Sequence, residues 1–483
     1  MDIGSAESVC PVCLERVRAR LIEDNGKIFL EKSCTEHGYF KVLYWGDSES
    51  YRRFIGYKYP GVRGRNSKPR ARGCPFDCGL CEDHESQTVL AVIDVTGRCN
   101  LKCPVCFAGA GGGGDLAYED VFRILRGLRA VEPVPVTAVQ FSGGEPTLRD
   151  DLPEIVQLAR KQLGFLHPEV NTNGIRISKD VAYLKRLVDA GVKVIYLSFD
   201  GVDDVVYERL RGEPLFELKR RVIANCRALG FNKVVLSVTL VKGVNDGQVE
   251  GIIDYAVKNS DVVRGVNFQP VSFSGRSDLD SKENRLTIPD FMKLVEEQCF
   301  GRIKAADFRP VSSTVPLLRF IEAYTDVPRA IFSAHPCCGA GTYLFIDKRG
   351  RYRTLDTIIN LDSLGNILEK AVREYEKVKN DKRRKDWWKL KYGILIALHM
   401  LPSAKNRETR DLIVDVLTQR SSKPLVHYAH KNTLLVGCMH FMDAENFDVE
   451  RAKKCIIHYA LPDGRVVPFC AYNTIYRNAD KKG

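Results

Sequence analysis

The 483-residue sequence has no apolar run long enough to cross a bilayer. Its longest, Tyr392 to Leu401, is about half of the roughly 20 residues that a spanning helix requires, and it stops at Pro402. An apolar leader is also missing, since the chain opens MDIGSAESVC; the expectation is a cytoplasmic protein whose 16 cysteines stay reduced. Disulfide stapling belongs to small secreted chains, whereas this length suits one large catalytic domain with smaller modules attached. Neither charge sign is scarce, with 73 Lys and Arg against 61 Asp and Glu, a formal +12. That balance admits nucleic acid, an anionic membrane surface, a phosphorylated substrate or merely a solvated surface.

What is present is organised in four stretches. Residues 1–60 form a cysteine- and aromatic-bearing module, and 61–87 hold a linker, GVRGRNSKPRARG, and a cysteine loop. Over 88–285, strand-like runs (TVLAVIDVT, VTAVQFSGG, PEVNTNG, KVIYLSFDG, KVVLSVTLV, GVNFQPV) alternate with amphipathic helical stretches. Six β/α units in series predict a parallel sheet, open or closed into part of a barrel. Chemistry in such folds gathers at the carboxyl ends of the strands, where Cys99, Gly143 to Glu145, Asn173 and Asp200 follow the first four. Residues 286–483 lose the periodicity and carry a basic amphipathic stretch, DKRRKDWWKLKYGILIALHML, and further cysteines; they read as a separate C-terminal region.

The cysteines fall into groups. CNLKCPVC brings Cys99, Cys103 and Cys106 close enough for one face of an iron-sulfur cube, leaving one iron open to a small molecule. A structural metal site or three buried thiols would use the same spacing. CPFDCGLC repeats it at Cys74, Cys78 and Cys81, without an SGGEP counterpart, and reads as an auxiliary cluster loop with a remote fourth ligand. CPVC and CTEH place Cys10, Cys13, Cys34 and His37 as two knuckles of a zinc-ribbon or rubredoxin type, for one mononuclear iron or zinc. Cys226 and Cys299 sit on helical patterns and read as core. The glycine-rich run Gly109 to Asp115 suits a close backbone approach, a mobile lid or a plain connector.

CxxxCxxC after a first strand with SGGEP after a second resembles the radical S-adenosylmethionine (SAM) superfamily over residues 88 to about 275. The resemblance implies a partial (β/α)6 TIM-like barrel and a 4Fe-4S cluster on Cys99, Cys103 and Cys106 that cleaves SAM to methionine and a 5'-deoxyadenosyl radical. Gly143 and Gly144 would let the backbone approach the methionine ammonium, and Glu145 would offer it a negative charge. By similarity Asn173, Ser198 and Asp200 are candidates for ribose or methionine contacts and Arg211 for the SAM carboxylate; a strand-end cap or an ion pair would explain them equally. The family usually has an aromatic residue before its third cysteine, where this chain has Val105, with Phe107 after Cys106. HPCCGAGTYLFIDKRGRY and CIIHYALPDGRVVPFC resemble SPASM-like auxiliary-cluster regions, implying ligands among Cys337, Cys338, Cys438, Cys455 and Cys470 and one or two auxiliary 4Fe-4S clusters. The family also favours iron over zinc at the N-terminal site.

The full layout, through GCMHFMDAENFDVERAKKCIIHYALPDGRVVPFCAYN, resembles an archaeal-type subfamily of tetraether lipid synthases, whose relatives include methyltransferases acting on 7,8-dihydro-6-hydroxymethylpterin. The first expectation is therefore coupling of the isoprenoid tails of archaeal diether lipids, with the pterin as alternative substrate and a reductant such as ferredoxin as partner. The stretch around Lys382 to Leu401, with Trp387 and Trp388, would suit peripheral docking on an anionic membrane, or be an ordinary surface helix. An electron carrier or a zinc-ribbon nucleic-acid binder would need no SGGEP set, so no nucleic acid is expected. Lipid coupling calls for a long apolar channel and pterin chemistry for a compact polar pocket.

Overall fold

The first four strands make an antiparallel sheet in chain order: β1 (Asp2–Val9), β2 (Arg16–Asp24), β3 (Lys27–Cys34) and β4 (Gly38–Trp45). The β2–β3 hairpin turns on Asn25-Gly26, both at positive φ (50° and 72°), a pair that matches the right-handed strand twist. The β1–β2 and β3–β4 turns carry the Cys10/Cys13 and Cys34/His37 knuckles. Leu21, Ile28, Leu30, Tyr44 and Trp45 bury one face of this sheet against the main core. This is a computed structural model, describing residues 1–64, 69–347, 349–400 and 433–477; part of the 61–87 linker and Leu401 lie outside the described residues.

Six parallel strands follow in sequential order: β5 (Leu90–Thr96), β6 (Ala138–Gly143), β7 (His167–Thr172), β8 (Val194–Ser198), β9 (Val234–Leu240) and β10 (Val263–Pro270). Their outward residues, among them Ile93, Phe141, Val170, Leu197, Val238 and Phe268, are at most 1 % exposed and pack under the helices. Burial at 25 cal/mol/Å² of apolar surface makes this layer the main source of stability. The expected α/β barrel is thus present.

Residues past 285 do not stand apart from it. β11 (Arg309–Pro310), β12 (Gly339–Ile346), β13 (Tyr352–Thr354), β14 (Thr433–Met439), β15 (Ile457–Ala460) and β16 (Val466–Pro468) all join the same sheet. β14 lies parallel to β10 at one edge and β15 parallel to β5 at the other. Residues 440–456 therefore cross from one edge of the six-strand sheet to the other. Arg285 anchors this bridge by a buried ion pair to Asp443 at 2.9 Å. The N-terminal sheet docks on it: Lys32 Nζ donates to the Val9 and Ala444 carbonyls at 2.7 and 2.8 Å, and the Tyr44 hydroxyl to Asp448 at 2.6 Å.

The basic stretch forms the helix Lys382–Met400, packed on Val315–Thr325 and Leu361–Val378. Trp388 is 2 % exposed and donates Nε1–H to the Ala371 carbonyl at 2.9 Å; Trp387 is exposed. Lys385 and Lys389 pair with Asp326, and Lys391 with Glu374, so several charges expected to meet lipid headgroups are met within the protein. That favours the surface-helix reading. Among the described residues no helix is long and apolar enough to cross a membrane.

Candidate active site

The loop from Cys99 to Cys106 leaves β5 and lies against the β6 loop so closely that only glycine fits. A Cβ on Gly143 would stand 2.1 Å from the Thr96 carbonyl oxygen, and one on Gly144 2.1 Å from that of Arg98. Gly143 also holds a φ of 131°, a region L side chains avoid. The glycine pair is thus required first by the chain's own backbone, through Gly144 N–H to Thr96 and Glu145 N–H to Arg98, each at 2.8 Å. The run after Cys106 is stitched down likewise: Gly97 and Gly114 bond backbone to backbone, and Asp115 accepts from Thr96 and Arg98. A Cβ at Gly111, Gly112 or Gly114 would meet nothing within 4 Å, and the tight approach falls on Gly97, whose Cβ would stand 2.2 Å from the Gly112 carbonyl oxygen.

The thiols face a cavity. Cys99, Cys103 and Cys106 all line it; backbone N–H groups of Leu101 and Ala110 point at the sulfurs of Cys99 and Cys106 at 3.5 and 3.4 Å. Burial pushes the Cys99 thiol up to about 11, so a neutral thiol is the resting form without a metal. Three sulfurs, two with backbone donors and the third, of Cys103, beside the Arg211 guanidinium, form a set that fits an anionic cluster.

Glu145 is 1 % exposed and accepts from the Thr147 and Thr172 hydroxyls, at 2.5 and 2.7 Å, and from Asn173 N–H at 2.7 Å. Burial outweighs those bonds and raises its carboxyl above the usual range. Much of its acceptor capacity is spent on the strand ends. Asn173 in turn reaches Asn100 in the cysteine loop at 2.7 Å and receives at its carbonyl the buried Lys219 ammonium at 2.5 Å. Lys219, pulled down to about 8 by burial, was not signalled by any motif.

Asp200 is fully buried and does not border the cavity; it holds Arg211 in a two-armed ion pair and accepts from Thr239 N–H at 3.0 Å. Burial pushes its carboxyl up, but the guanidinium outweighs this and holds it below the ordinary carboxylate range. Asp200 is thus placed as the support of Arg211, which lines the cavity with Ser198.

The cavity, about 260 Å³, fills the barrel mouth between the cysteine loop and the inward strand faces. Those faces are polar: Gln140, Asn171, Tyr196, Asn267 and Gln269 line it. Its far wall is aromatic, with Phe107 stacked on Phe469 (5.5 Å, 9°), and Phe469 against Phe441 and Tyr459. Phe107 therefore packs on the C-terminal segment. The polar alternation within apolar strands was visible in VTAVQFSGG and GVNFQPV; the aromatic partners, hundreds of residues away, were not.

The other cysteine groups differ. Ligand atoms of Cys10, Cys13, Cys34 and His37 all lie within 4.8 Å of one another, the spread of a mononuclear tetrahedral site. Cys74, Cys78 and Cys81 are buried, and the first two pack in an apolar cluster with Cys470. Cys337, Cys338 and Cys470 gather around Arg451, with Cys455 beside Cys338 and Cys470; Arg451 is 2 % exposed, makes no ion pair among the described residues and has an unpartnered Nε. Arg451 donates to the His440 carbonyl at 2.6 Å and has Asp448 nearby, and a guanidinium buried among these thiols suits an anionic metal-thiolate centre. Cys337 is buried beside Cys338. Cys438 does not join them: it alternates with cavity-lining Met439 on β14 and lies in the main apolar core near Asp290. Cys226 and Cys299 are core residues.

Residues 93–256 match the Radical SAM superfamily, and residues 3–46 the HMPTM N-terminal zinc ribbon domain. The 7,8-dihydro-6-hydroxymethylpterin dimethyltransferase of Methanocaldococcus jannaschii is 47 % identical over 477 residues, covering 97 % of this chain and 93 % of that one. The GTP 3',8-cyclase of Hydrogenovibrio crunogenus is 28 % identical over 39 % of this chain and 57 % of its own. Among solved structures, Streptococcus suis SuiB bound to S-adenosylmethionine is 20 % identical with a TM-score of 0.37, over 44 % of this chain and 48 % of that one.

Proposed function

The chain belongs to the radical SAM superfamily, with a 4Fe-4S cluster and SAM as cofactors, and from that premise we propose that it is a methyltransferase acting on 7,8-dihydro-6-hydroxymethylpterin. The observation that carries this reading is the cavity of about 260 Å³ directly under Cys99, Cys103 and Cys106, whose strand faces present the amides of Gln140, Asn171, Asn267 and Gln269 opposite an apolar and aromatic wall. Coupling of isoprenoid tails, ranked first from the sequence, would need a long apolar channel; the amide-lined strand faces and the 47 % identical relative favour the pterin instead.

Loaded with its cluster and SAM, the loop supplies the 5'-deoxyadenosyl radical chemistry of the superfamily. The chain's own residues do the positioning. Arg211, its Nε and Nη2 held by Asp200, keeps Nη1, with only a long 3.4 Å contact to the Val105 carbonyl, as the arm that would meet a carboxylate such as that of SAM. Glu145 and Lys219 tie the β6 and β7 ends together through Asn173, fixing the rim against which SAM lies. Phe107, Phe441 and Phe469 pack into an apolar wall that shields this side of the cavity from solvent. Cys10, Cys13, Cys34 and His37 would hold a structural metal ion, zinc in line with the ribbon match, and Cys338, Cys455 and Cys470 would contribute to an auxiliary cluster.

The test is anaerobic reconstitution with iron, sulfide and zinc, then incubation with SAM and reductant beside the dihydropterin or an archaeal diether phospholipid. A pterin mass gain of one or two methyl groups together with 5'-deoxyadenosine is expected. Product from the lipid and none from the pterin would overturn the reading.

A further inference from the structure

Glu169 stands inside the barrel without a counter-charge. On β7 it shares the inward face with Asn171, while Val170 between them is 1 % exposed in the outer core. In register it lies beside Gln140 on β6, itself beside Val92 on β5; Val92, Gln140 and Asn171 line the cavity, and Glu169 stands one side chain behind that lining, bonded to Gln140. Its one side-chain hydrogen bond among the described residues is from Gln140 Nε2, long at 3.4 Å, and no Lys or Arg pairs with it. Tyr196 on β8 is the other polar neighbour. Burial lifts the acid to about 7. An apolar side chain would fill this position at no desolvation cost, so packing does not account for a carboxylate here.

We propose that Glu169 is a specificity-determining residue that accepts the paired N–H donors of a 2-amino-4-oxopyrimidine ring at the cavity floor. This rests on the pterin reading above. Such a ring carries a ring N–H and an exocyclic amine side by side, and a carboxylate offers two oxygens at matching spacing. Gln140, Asn267 and Gln269 supply amides for the remaining ring edges, and Tyr459 and Phe441 flat faces for stacking. From Gln140 to Gly143 the strand climbs roughly 10 Å, about the length of a bicyclic ring. A pterin anchored by its pyrimidine edge on Glu169 therefore turns its other ring, with the 6-substituent, toward the cysteine loop.

The experiment measures equilibrium binding of 7,8-dihydro-6-hydroxymethylpterin and of its analogue with oxygen in place of the 2-amino group, to reconstituted wild-type enzyme, Glu169→Gln and Glu169→Asp. Circular dichroism and iron content establish that each variant is folded. Wild type is expected to prefer the amino compound by about tenfold or more, since a site built to bond a donor rejects the ligand lacking it. Glu169→Gln is expected to reduce that preference to about twofold, and Glu169→Asp to retain part of it. A wild-type enzyme binding both compounds alike, or a folded Glu169→Gln that keeps the preference, overturns the proposal and leaves the pterin reading standing. No binding of either compound overturns the pterin reading itself.

Discussion

Arg211 grips Asp200 with both guanidinium arms, at 2.7 and 2.8 Å, eleven residues apart in sequence and across the β8 end in space. Removing one partner of a buried pair costs about 3–5 kcal/mol. Asp200→Asn is therefore expected to lower the melting temperature and to weaken SAM binding by about tenfold or more, because the guanidinium loses its orientation. Calorimetry and equilibrium dialysis with labelled SAM check this; a variant that melts and binds like wild type would refute the support role.

Gly144→Ala sets a methyl 2.1 Å from a backbone oxygen that cannot swing aside. The cysteine loop must move, so 5'-deoxyadenosine formation should fall by an order of magnitude or more, while zinc bound at the N-terminal knuckles stays constant. Product quantification alongside metal analysis separates the two.

Glu169 predicts a pH signature in stability. Its acid sits near 7 in the folded protein against 4.5 ordinarily, so the folded state holds the proton more tightly than the unfolded state does. Stability is thus lost as pH rises from about 4.5 through about 7, by up to roughly 3 kcal/mol. Glu169→Gln should melt higher than wild type at about pH 8 and show little gain at about pH 4.5. Equal gains at both would mean the carboxylate is not buried in solution.

Cys438 and Cys470 separate a core thiol from a ligand. Cys438→Ala should leave iron per chain unchanged and cost about 1 kcal/mol or slightly more in stability as a small core truncation. Cys470→Ala should lower iron per chain. The reverse pattern in iron assays would return Cys438 to the ligand set.

Cys34→Ser should remove one metal ion per chain and lower the melting temperature, since binding energy at such a site is folding energy. Elemental analysis distinguishes zinc from iron at the same time.

Much of this was legible in one sequence because it is local. The six parallel strands announce themselves by apolar runs, and the knuckles, the cysteine loops and SGGEP by spacing. The polar side chains at every second position of VTAVQFSGG and GVNFQPV also foretell an interior that is not dry. What stayed hidden depends on pairing across distance. TLLVGCM reads as a strand, yet nothing in it says that it pairs with β10, and the same seven residues contain Cys438, whose outward face follows only from that pairing. Asp200 and Arg211 look like two separate cofactor contacts until the fold shows them facing one another. The choice between lipid and pterin stayed hidden for a related reason: cavity length is a property of which side chains meet across the barrel.

The bridge at 440–456 has a consequence for the order in which the protein is made. β5 and β10, the two edges of the six-strand sheet, are both synthesised well before the strands that cover them, β14 and β15. A nascent chain ending before 433 exposes two unpaired edges, the kind of surface that recruits other strands. Through that same interval Cys74, Cys78 and Cys81 lack the C-terminal side chains that later enclose them. Biogenesis thus leaves a window in which the barrel is both vulnerable to aggregation and open to cluster delivery, and completion of the last fifty residues closes the two together.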